Sequence, residues 1–170
     1  MSKSYIVLSL IALCMLFSAP QSNAQGITLG GGLSYGLDIE EIGLQANGYY
    51  DLNENMRLGG DVIYWLVDSP SGIDITYMEF NFNAHYIFSQ DDALTLYAIG
   101  SAGIHYADVS YSDDMGWGGA SLSYSDTKLG IGIGAGVEYD LGSLILYGEP
   151  RFFLSGLDQL ALNAGVRFRL

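Results

Sequence analysis

A strict alternation of residue types is the feature that most constrains the fold of this chain. In the stretch Thr127–Asp140, glycine fills every second position from 130 to 136 and apolar residues fill the positions between. A period of two places successive side chains on opposite faces of a β-strand. Glycine weakens strands, so four glycines on one face indicate a crowded side where larger side chains do not fit.

Seven further segments alternate in the same way, and each has one face that is almost wholly apolar. The eight segments cover 26–37, 41–51, 56–67, 75–88, 94–107, 127–140, 144–154 and 160–170. Short polar turns at 51–55, 89–93 and 140–143 alternate with connections near 38–40, 67–74, 108–126 and 155–159. Pro150 has no N–H to donate to a sheet, so it predicts a local bulge in segment seven.

The first residues predict a secretory signal peptide over residues 1–24. Lys3 gives a positive start, Tyr5–Ala19 is a continuous apolar run, and Ser22-Asn23-Ala24 is a small-x-small cleavage signal. We expect cleavage after Ala24 and one domain over residues 25–170. Cys14 is the single cysteine and leaves with the signal, so no disulfide is expected. No later apolar run is long enough for a transmembrane helix.

The charges inside the segments fall on the polar faces and never on the apolar faces. In a soluble barrel the apolar face would point inward. Here the arrangement fits an apolar face against lipid and a polar face lining a narrow lumen, because eight strands leave an interior that side chains fill. Buried charges must be paired, so we predict an ion-pair network in the lumen. Its predicted members are Arg57, Asp61, Glu79, Lys128, Glu138, Glu149, Arg151, Arg167 and Arg169.

Outward aromatic residues fall at alternating ends of successive segments. Two such belts, one at each membrane interface, are typical of transmembrane barrels. We therefore predict an all-β fold, an eight-stranded antiparallel up-and-down transmembrane β-barrel. The predicted outer belt is Tyr35, Tyr64, Tyr106 and Phe152, and the predicted inner belt is Tyr50, Tyr86, Phe88, Tyr139 and Phe168.

Several stretches resemble the small outer-membrane β-barrel family, the eight-stranded OmpA/OmpX-type barrels. They are the signal peptide, the turn YYDLNENMRLGG, the strand TKLGIGIGAGVEYD and the ending LNAGVRFRL. The resemblance implies a monomer in the outer membrane of a Gram-negative bacterium, inserted into lipid by the barrel-assembly machinery. The family usually closes on an aromatic residue, whereas this chain closes on Leu170, with Phe168 two places earlier.

Three functions remain open from the sequence. The first is a structural or surface-interaction role, in envelope integrity, adhesion or resistance, with a side-chain-filled lumen. The second is a narrow porin-like channel gated by the lumen ion pairs, and the third is a soluble lipocalin-like carrier of an apolar ligand. The net charge of −13 argues against nucleic-acid binding.

An enzyme is not expected, and neither is a cofactor or a bound metal. His85 and His105 fall on the lumen face, so no His-Ser-acid arrangement can be assembled on the outer surface. We expect both histidines to be hydrogen-bonded within the lumen.

The presumed outer connections carry ten acidic residues and no lysine or arginine. We expect a solvated surface, with the further hypothesis that these carboxylates bind Ca²⁺ or Mg²⁺ or face an extracellular partner. Tyr111, Trp117 and Tyr124 form the predicted binding loop, because tyrosine, serine and glycine make adaptable contact surfaces. The ten acids are Asp38, Glu40, Glu41, Asp68, Asp74, Asp108, Asp113, Asp114, Asp126 and Asp158.

Overall fold

The structure is a computed structural model that describes residues 26–68, 73–111, 122–154 and 159–170. Eight strands form one closed barrel in which neighbours in the chain pair antiparallel and β1 also pairs with β8. The predicted fold is confirmed. None of the described residues forms a helix long and apolar enough to cross a membrane. The strands are β1 Ile27–Gly36, β2 Glu41–Asn53, β3 Met56–Trp65, β4 Ile73–Asp91, β5 Leu94–Tyr111, β6 Leu122–Asp140, β7 Ile145–Leu154 and β8 Gln159–Arg169.

Strands β4, β5 and β6 extend beyond their predicted limits. β4 begins at Ile73, β5 ends at Tyr111, and β6 begins at Leu122 instead of residue 127. The connection predicted near 108–126 is therefore much shorter, and three acids assigned to loops lie in these three strands. They are Asp74, Asp108 and Asp126. The predicted signal peptide lies outside the described residues.

The barrel carries its apolar face outside and its polar face inside. Large apolar side chains of every strand point outward, and Phe82 and Leu129 are 58% and 74% exposed. Arg151, Arg167 and Glu149 lie inside at 1% exposure or less. A soluble barrel has the reverse arrangement, so the soluble carrier is excluded.

The glycines of β6 leave room for bulky side chains from neighbouring strands, as the sequence predicted. A Cβ atom on Gly136 would overlap the ring of Tyr97, and one on Gly132 would lie 2.8 Å from the ring of Phe153. Such approaches are closer than van der Waals contact allows, so only hydrogen fits at these two positions of β6.

Pro150 interrupts one ladder without inserting an extra residue. The β6–β7 pairing is missing opposite residues 149 and 150 and continues in the same register on either side. The predicted bulge is therefore wrong, because the missing N–H removes ladder bonds but leaves the residue count unchanged. Register shifts occur instead beside two turns, at Asp51/Asn53 and at Ile87/Ser89.

Candidate functional site

The centre of the lumen is filled by a chain of buried ion pairs. Arg151 contacts Asp61 and Glu149, each at 2.5 Å. Arg167 contacts the other oxygen of Glu149 at 2.5 Å and also pairs with Glu138. Because every charge has an opposite partner, the network satisfies the condition under which ionised groups are buried.

Arg57 extends this chain toward the end of the barrel that holds the short turns, here called the turn end. Its guanidinium contacts Glu138 at 2.7 Å and Asp51 at 2.7 Å. Asp51 belongs to a predicted turn, and it was not among the predicted members of the ion-pair network. The hairpin itself indicates this ion pair, because Asp51 lies directly opposite Arg57 in the β2–β3 pairing.

Six of the nine predicted network residues therefore lie in one connected group, and three lie elsewhere. Glu79 belongs to a separate cluster. Lys128 is an exposed side chain that pairs with Asp126 at 3.7 Å, and Arg169 is an exposed side chain that pairs with Asp140 at 2.6 Å. Arg169 is the last residue of β8, and Lys128 lies in β6 before its ladder with β7 begins at Ile131. Both side chains reach solvent, so the prediction that they belong to the buried network is corrected.

Tyrosine side chains hold the arginines in position. The guanidinium of Arg167 lies 4.5 Å from the ring centre of Tyr49 and 3.9 Å from that of Tyr147. The Tyr97 hydroxyl donates to Glu149 at 2.7 Å. Cations over aromatic faces are attracted to the ring quadrupole, most strongly when desolvated. Alternation within the segments puts Tyr49, Tyr97 and Tyr147 on the lumen face, but the pattern does not predict this role.

The two histidines differ from the prediction that both are hydrogen-bonded. The ring of His85 lies between those of Tyr49 and Tyr97, at centroid distances of 4.4 Å and 4.6 Å. Neither of its nitrogens has a hydrogen-bond partner among the described residues, so the prediction is wrong for His85. His105 contacts the Tyr77 hydroxyl through Nδ1 at 3.2 Å, while its Nε2 has no partner there.

A second buried cluster lies toward the opposite end of the barrel, here called the loop end. Glu79 accepts hydrogen bonds from the Trp65 indole at 2.9 Å and from the Tyr77 hydroxyl at 3.1 Å. Apolar residues close the lumen around it. Ile63, Trp65, Tyr77 and Ala161 form this loop-end plug, with Ile39, Val67 and Ala107 packed against it.

The turn end is open by comparison. A polar cavity of about 710 Å³ lies there and reaches the Arg57–Glu138 pair. Asp140 and Arg169 also line this vestibule. The lumen is therefore accessible from the turn end, filled by ion pairs in the middle, and closed by apolar side chains at the loop end.

The nine predicted belt residues all point outward. Eight are exposed, and Tyr106 is half-buried. At the loop end, Tyr64 and Tyr106 lie on either side of Met78 in one row across β3, β4 and β5. At the turn end, Tyr139 lies opposite Leu94, the first residue of β5.

Beyond the loop-end row, β4, β5 and β6 continue as a three-stranded projecting sheet, residues 73–77, 107–111 and 122–126. The polarity of the two faces is reversed here. Ile75, Val109 and Tyr124 continue the lumen side, whereas Asp108 and Ser125 continue the outer side. An outer face that changes from apolar to polar at this level places the lipid boundary near the aromatic row.

The predicted binding loop is partly replaced by this sheet. Tyr111 is the last residue of β5, and Tyr124 lies in β6 with 70% exposure. Trp117 lies outside the described residues, as do Asp113, Asp114 and Asp158. In the described ranges, no group of three or more His, Cys, Asp or Glu side chains could hold a metal ion.

Comparisons with known proteins agree with this architecture. Residues 6–168 match the family described as "Outer membrane protein beta-barrel domain". No curated protein sequence matches the chain. Among solved structures, Neisserial surface protein A (NspA) is similar at 19% identity and a TM-score of 0.60, covering 85% of this chain and 94% of that one.

Two further structures share the fold. Ail, the attachment invasion locus protein of Yersinia pestis, is 22% identical with a TM-score of 0.51, covering 85% of this chain and 99% of Ail. A major outer membrane protein from Thermus thermophilus is 12% identical with a TM-score of 0.65, covering 87% of this chain and 100% of that chain.

Proposed function

The chain belongs to the outer membrane β-barrel domain family, and we propose that it anchors an acidic β-sheet on the cell surface for interaction with extracellular partners. Its place is the outer membrane of a Gram-negative bacterium, and the proposal puts the loop end at the cell exterior and the turn end in the periplasm. One observation carries the proposal: three strands continue past the aromatic row while the lumen beneath them is closed. A closed barrel gives rigid support, and the projecting sheet gives a surface to recognise.

The lumen supports a structural role for the barrel. Arg151 and Arg167 are fully buried and each pairs with two carboxylates, so the interior resembles a packed core more than an aqueous path. Eight-stranded barrels are filled by side chains, whereas diffusion pores have about 16 strands. Insertion by the barrel-assembly machinery and a monomeric state are parts of the same proposal, as is the absence of enzymatic activity.

The charge of the exterior end favours a protein partner over a sulfated polysaccharide. One solved structure holds Ail in complex with the heparin analogue sucrose octasulfate. In this chain the described loop-end residues carry seven acids and one base, Lys128, so a polyanion would be repelled. The seven acids are Asp38, Glu40, Glu41, Asp68, Asp74, Asp108 and Asp126.

The test compares cells that display the protein with cells that display a variant lacking the β5 and β6 parts of the projecting sheet. The variant joins residue 107 to residue 127 by a short glycine-rich turn, and a control variant replaces the periplasmic turn at 54–55 with Asn-Gly. Both must show the gel shift on heating that marks a folded barrel. We expect attachment to immobilised extracellular-matrix protein to be lost only in the first variant. Equal attachment by all three would contradict the proposal.

A second candidate function, a narrow channel, is favoured by one observation. The periplasmic vestibule of about 710 Å³ reaches the Arg57–Glu138 pair, so among the described residues a path is blocked by the central ion pairs and the loop-end plug. Conduction would require both to move. Single-channel recording tests this candidate: steps of current in the wild type that increase in Trp65→Ala would support a channel, and silence in both would remove it.

A further inference from the structure

The buried ion-pair group in the lumen contains more negative than positive charges. It joins three arginines to four carboxylates, and its members are Arg57, Arg151, Arg167, Asp51, Asp61, Glu138 and Glu149. His85 stacks on Tyr97 beside the group, but neither nitrogen of His85 has a hydrogen-bond partner among the described residues. One negative charge is therefore left over. An uncompensated buried charge is costly, so a cation bound where the group meets solvent would stabilise the barrel.

The group meets solvent at the vestibule of the turn end. Glu138 and Arg57 are 4% and 6% exposed, and both line this cavity together with Asp51. Both arginine contacts of Glu138 use its Oε1, and Asp51 contacts Arg57 through Oδ1. The second oxygens, Oε2 and Oδ2, have no hydrogen-bond partner among the described residues, and neither is a fully buried atom. Two free carboxylate oxygens are therefore presented to the vestibule.

A third carboxylate lies at the rim of the same cavity. Glu54 is exposed, lines the vestibule and makes no ion pair with the described residues. The other two charges of the lining, Asp140 and Arg169, pair with each other at 2.6 Å. The vestibule thus holds two uncompensated negative charges, one at its floor and one at its rim.

We propose that the vestibule binds a linear alkyl diamine, with one ammonium group on Glu138 and Asp51 and the other beside Glu54. An ammonium group has three N–H donors and no acceptor, which suits free carboxylate oxygens. Leu52 and Ile87 also line the cavity and offer apolar surface to the methylene chain. The site lies at the opposite end of the barrel from the projecting sheet, so it is a function in addition to surface interaction.

Two other kinds of ligand fit this cavity less well. A calcium or magnesium ion needs several oxygen ligands around one point. The described part of the chain has no group of three or more His, Cys, Asp or Glu side chains placed in that way. An anion would find Nη2 of Arg57, whose other nitrogens already bond Asp51 and Glu138. The net negative charge of the lining would repel it.

The experiment uses the protein in nanodiscs of phosphatidylcholine and the probe 1,4-diaminobutane. Butylamine has one ammonium group, and 1,4-butanediol has the same length without charge, so these two are matched control ligands. Succinate tests for an anion at Arg57. Binding is measured by NMR, from the shifts of the amide resonances of Glu54, Thr95 and Glu138 during each titration.

We expect the diamine to shift these resonances saturably and to bind about fivefold more tightly than butylamine, because its second ammonium group gains an exposed ion pair. Glu54→Gln should abolish that fivefold ratio while butylamine binds as before. Asp91→Asn removes a carboxylate at the end of β4 that does not line the cavity, so the ratio should be retained.

Glu138→Gln tests the floor of the site. It should weaken both amines by about tenfold or more, because a buried hydrogen bond to a charged group is lost. Each variant must first show the heat-dependent gel shift of a folded barrel. If Glu138→Gln does not, Asp51→Asn replaces it, since that side chain is 35% exposed and its loss perturbs the interior less.

Any of four results would overturn the proposal. The diamine could cause no saturable shift, or shifts confined to the loop end. Butanediol could shift the same resonances as strongly, which would show that charge is not recognised. Succinate could bind in place of the amines, which would make the vestibule an anion site. Glu54→Gln and Asp91→Asn could reduce the ratio equally, which would indicate attraction by net charge alone. Attachment of cells depends on the opposite end of the barrel, so the surface role stands or fails separately.

Discussion

Replacing Gly136 with alanine tests the packing of the lumen at its tightest point. A methyl group at this position would overlap the ring of Tyr97. That ring cannot move freely, because it is stacked on His85 and its hydroxyl is bonded to Glu149 at 2.7 Å and to Arg167 at 3.0 Å. We therefore expect Gly136→Ala to destabilise the folded barrel.

The size of the effect follows from two contributions. Forcing an extra methyl group into a packed interior costs about 1–3 kcal/mol. If the Tyr97 ring is displaced, its hydrogen bonds to charged groups weaken, and each such bond contributes about 1.5–3 kcal/mol. These losses overlap, because relieving the clash is what weakens the bonds. We expect unfolding free energy to fall by about 2–4 kcal/mol in total.

The assay is reversible urea unfolding in lipid, with the heat-dependent gel shift as a second measure of folding. Gly100→Ala is the matched control, because a Cβ at that outward position has no heavy atom within 4 Å. We expect it to be neutral or stabilising by up to about 1 kcal/mol, since alanine restricts the unfolded chain. Adding Tyr97→Ala to Gly136→Ala should recover part of the packing cost in a double-mutant cycle.

Two results would refute this reasoning. If Gly136→Ala and Gly100→Ala had the same stability, the crowding of the β6 lumen face would not be real. If the effects of Gly136→Ala and Tyr97→Ala were simply additive, the clash would not involve the tyrosine ring.

Two further contrasts test the polar interior and the apolar exterior. Arg151→Ala should cost about 3–5 kcal/mol of unfolding free energy, because it leaves buried carboxylates unpaired, whereas the surface pair lost in Arg169→Ala is worth at most about 1 kcal/mol. Urea midpoints that rank these two variants in the opposite order would contradict the lumen network. Phe82→Lys should cost about 2–4 kcal/mol near the centre of the bilayer, and Ser125→Lys on the projecting sheet should change stability by less than about 0.5 kcal/mol. Equal refolding yields into lipid vesicles would refute the proposed depth of these residues.

Much of the fold could be predicted from the sequence because one physical rule governs it. A strand in lipid must alternate an apolar outer face with a lumen face, so the period of two locates the strands. The glycines of β6 then indicate the crowded side. The upper parts of β4, β5 and β6 were missed because that rule stops at the lipid boundary. Beyond it, Asp108 and Ser125 occupy the outer face, and such residues resemble a loop in composition.

The candidate site could be predicted as a set of residues but not as a set of contacts. Alternation assigns Arg57 and Arg151 to the lumen, but it does not show which carboxylate each one reaches across the barrel. Those pairings depend on strand tilt, register and the length of each side chain. Arg151 joins Asp61, a residue 90 positions away in the sequence. Lys128 and Arg169 are exposed because they lie where the lumen opens to solvent. Alternation alone does not show where along a strand that opening begins.

The most direct test of the account is a spin-label scan along the outer face of β5. Cys14 is the only native cysteine, so single-cysteine variants are simple to make. The labelled positions are Ala98, Ala102, Ile104, Tyr106, Asp108 and Ser110. Oxygen reports access from lipid, and a nickel chelate reports access from water. We predict that lipid access prevails through Ile104 and that water access prevails at Asp108 and Ser110. Water access at Ala98 and Ala102, or lipid access at Ser110, would contradict an inside-out barrel that carries a projecting sheet.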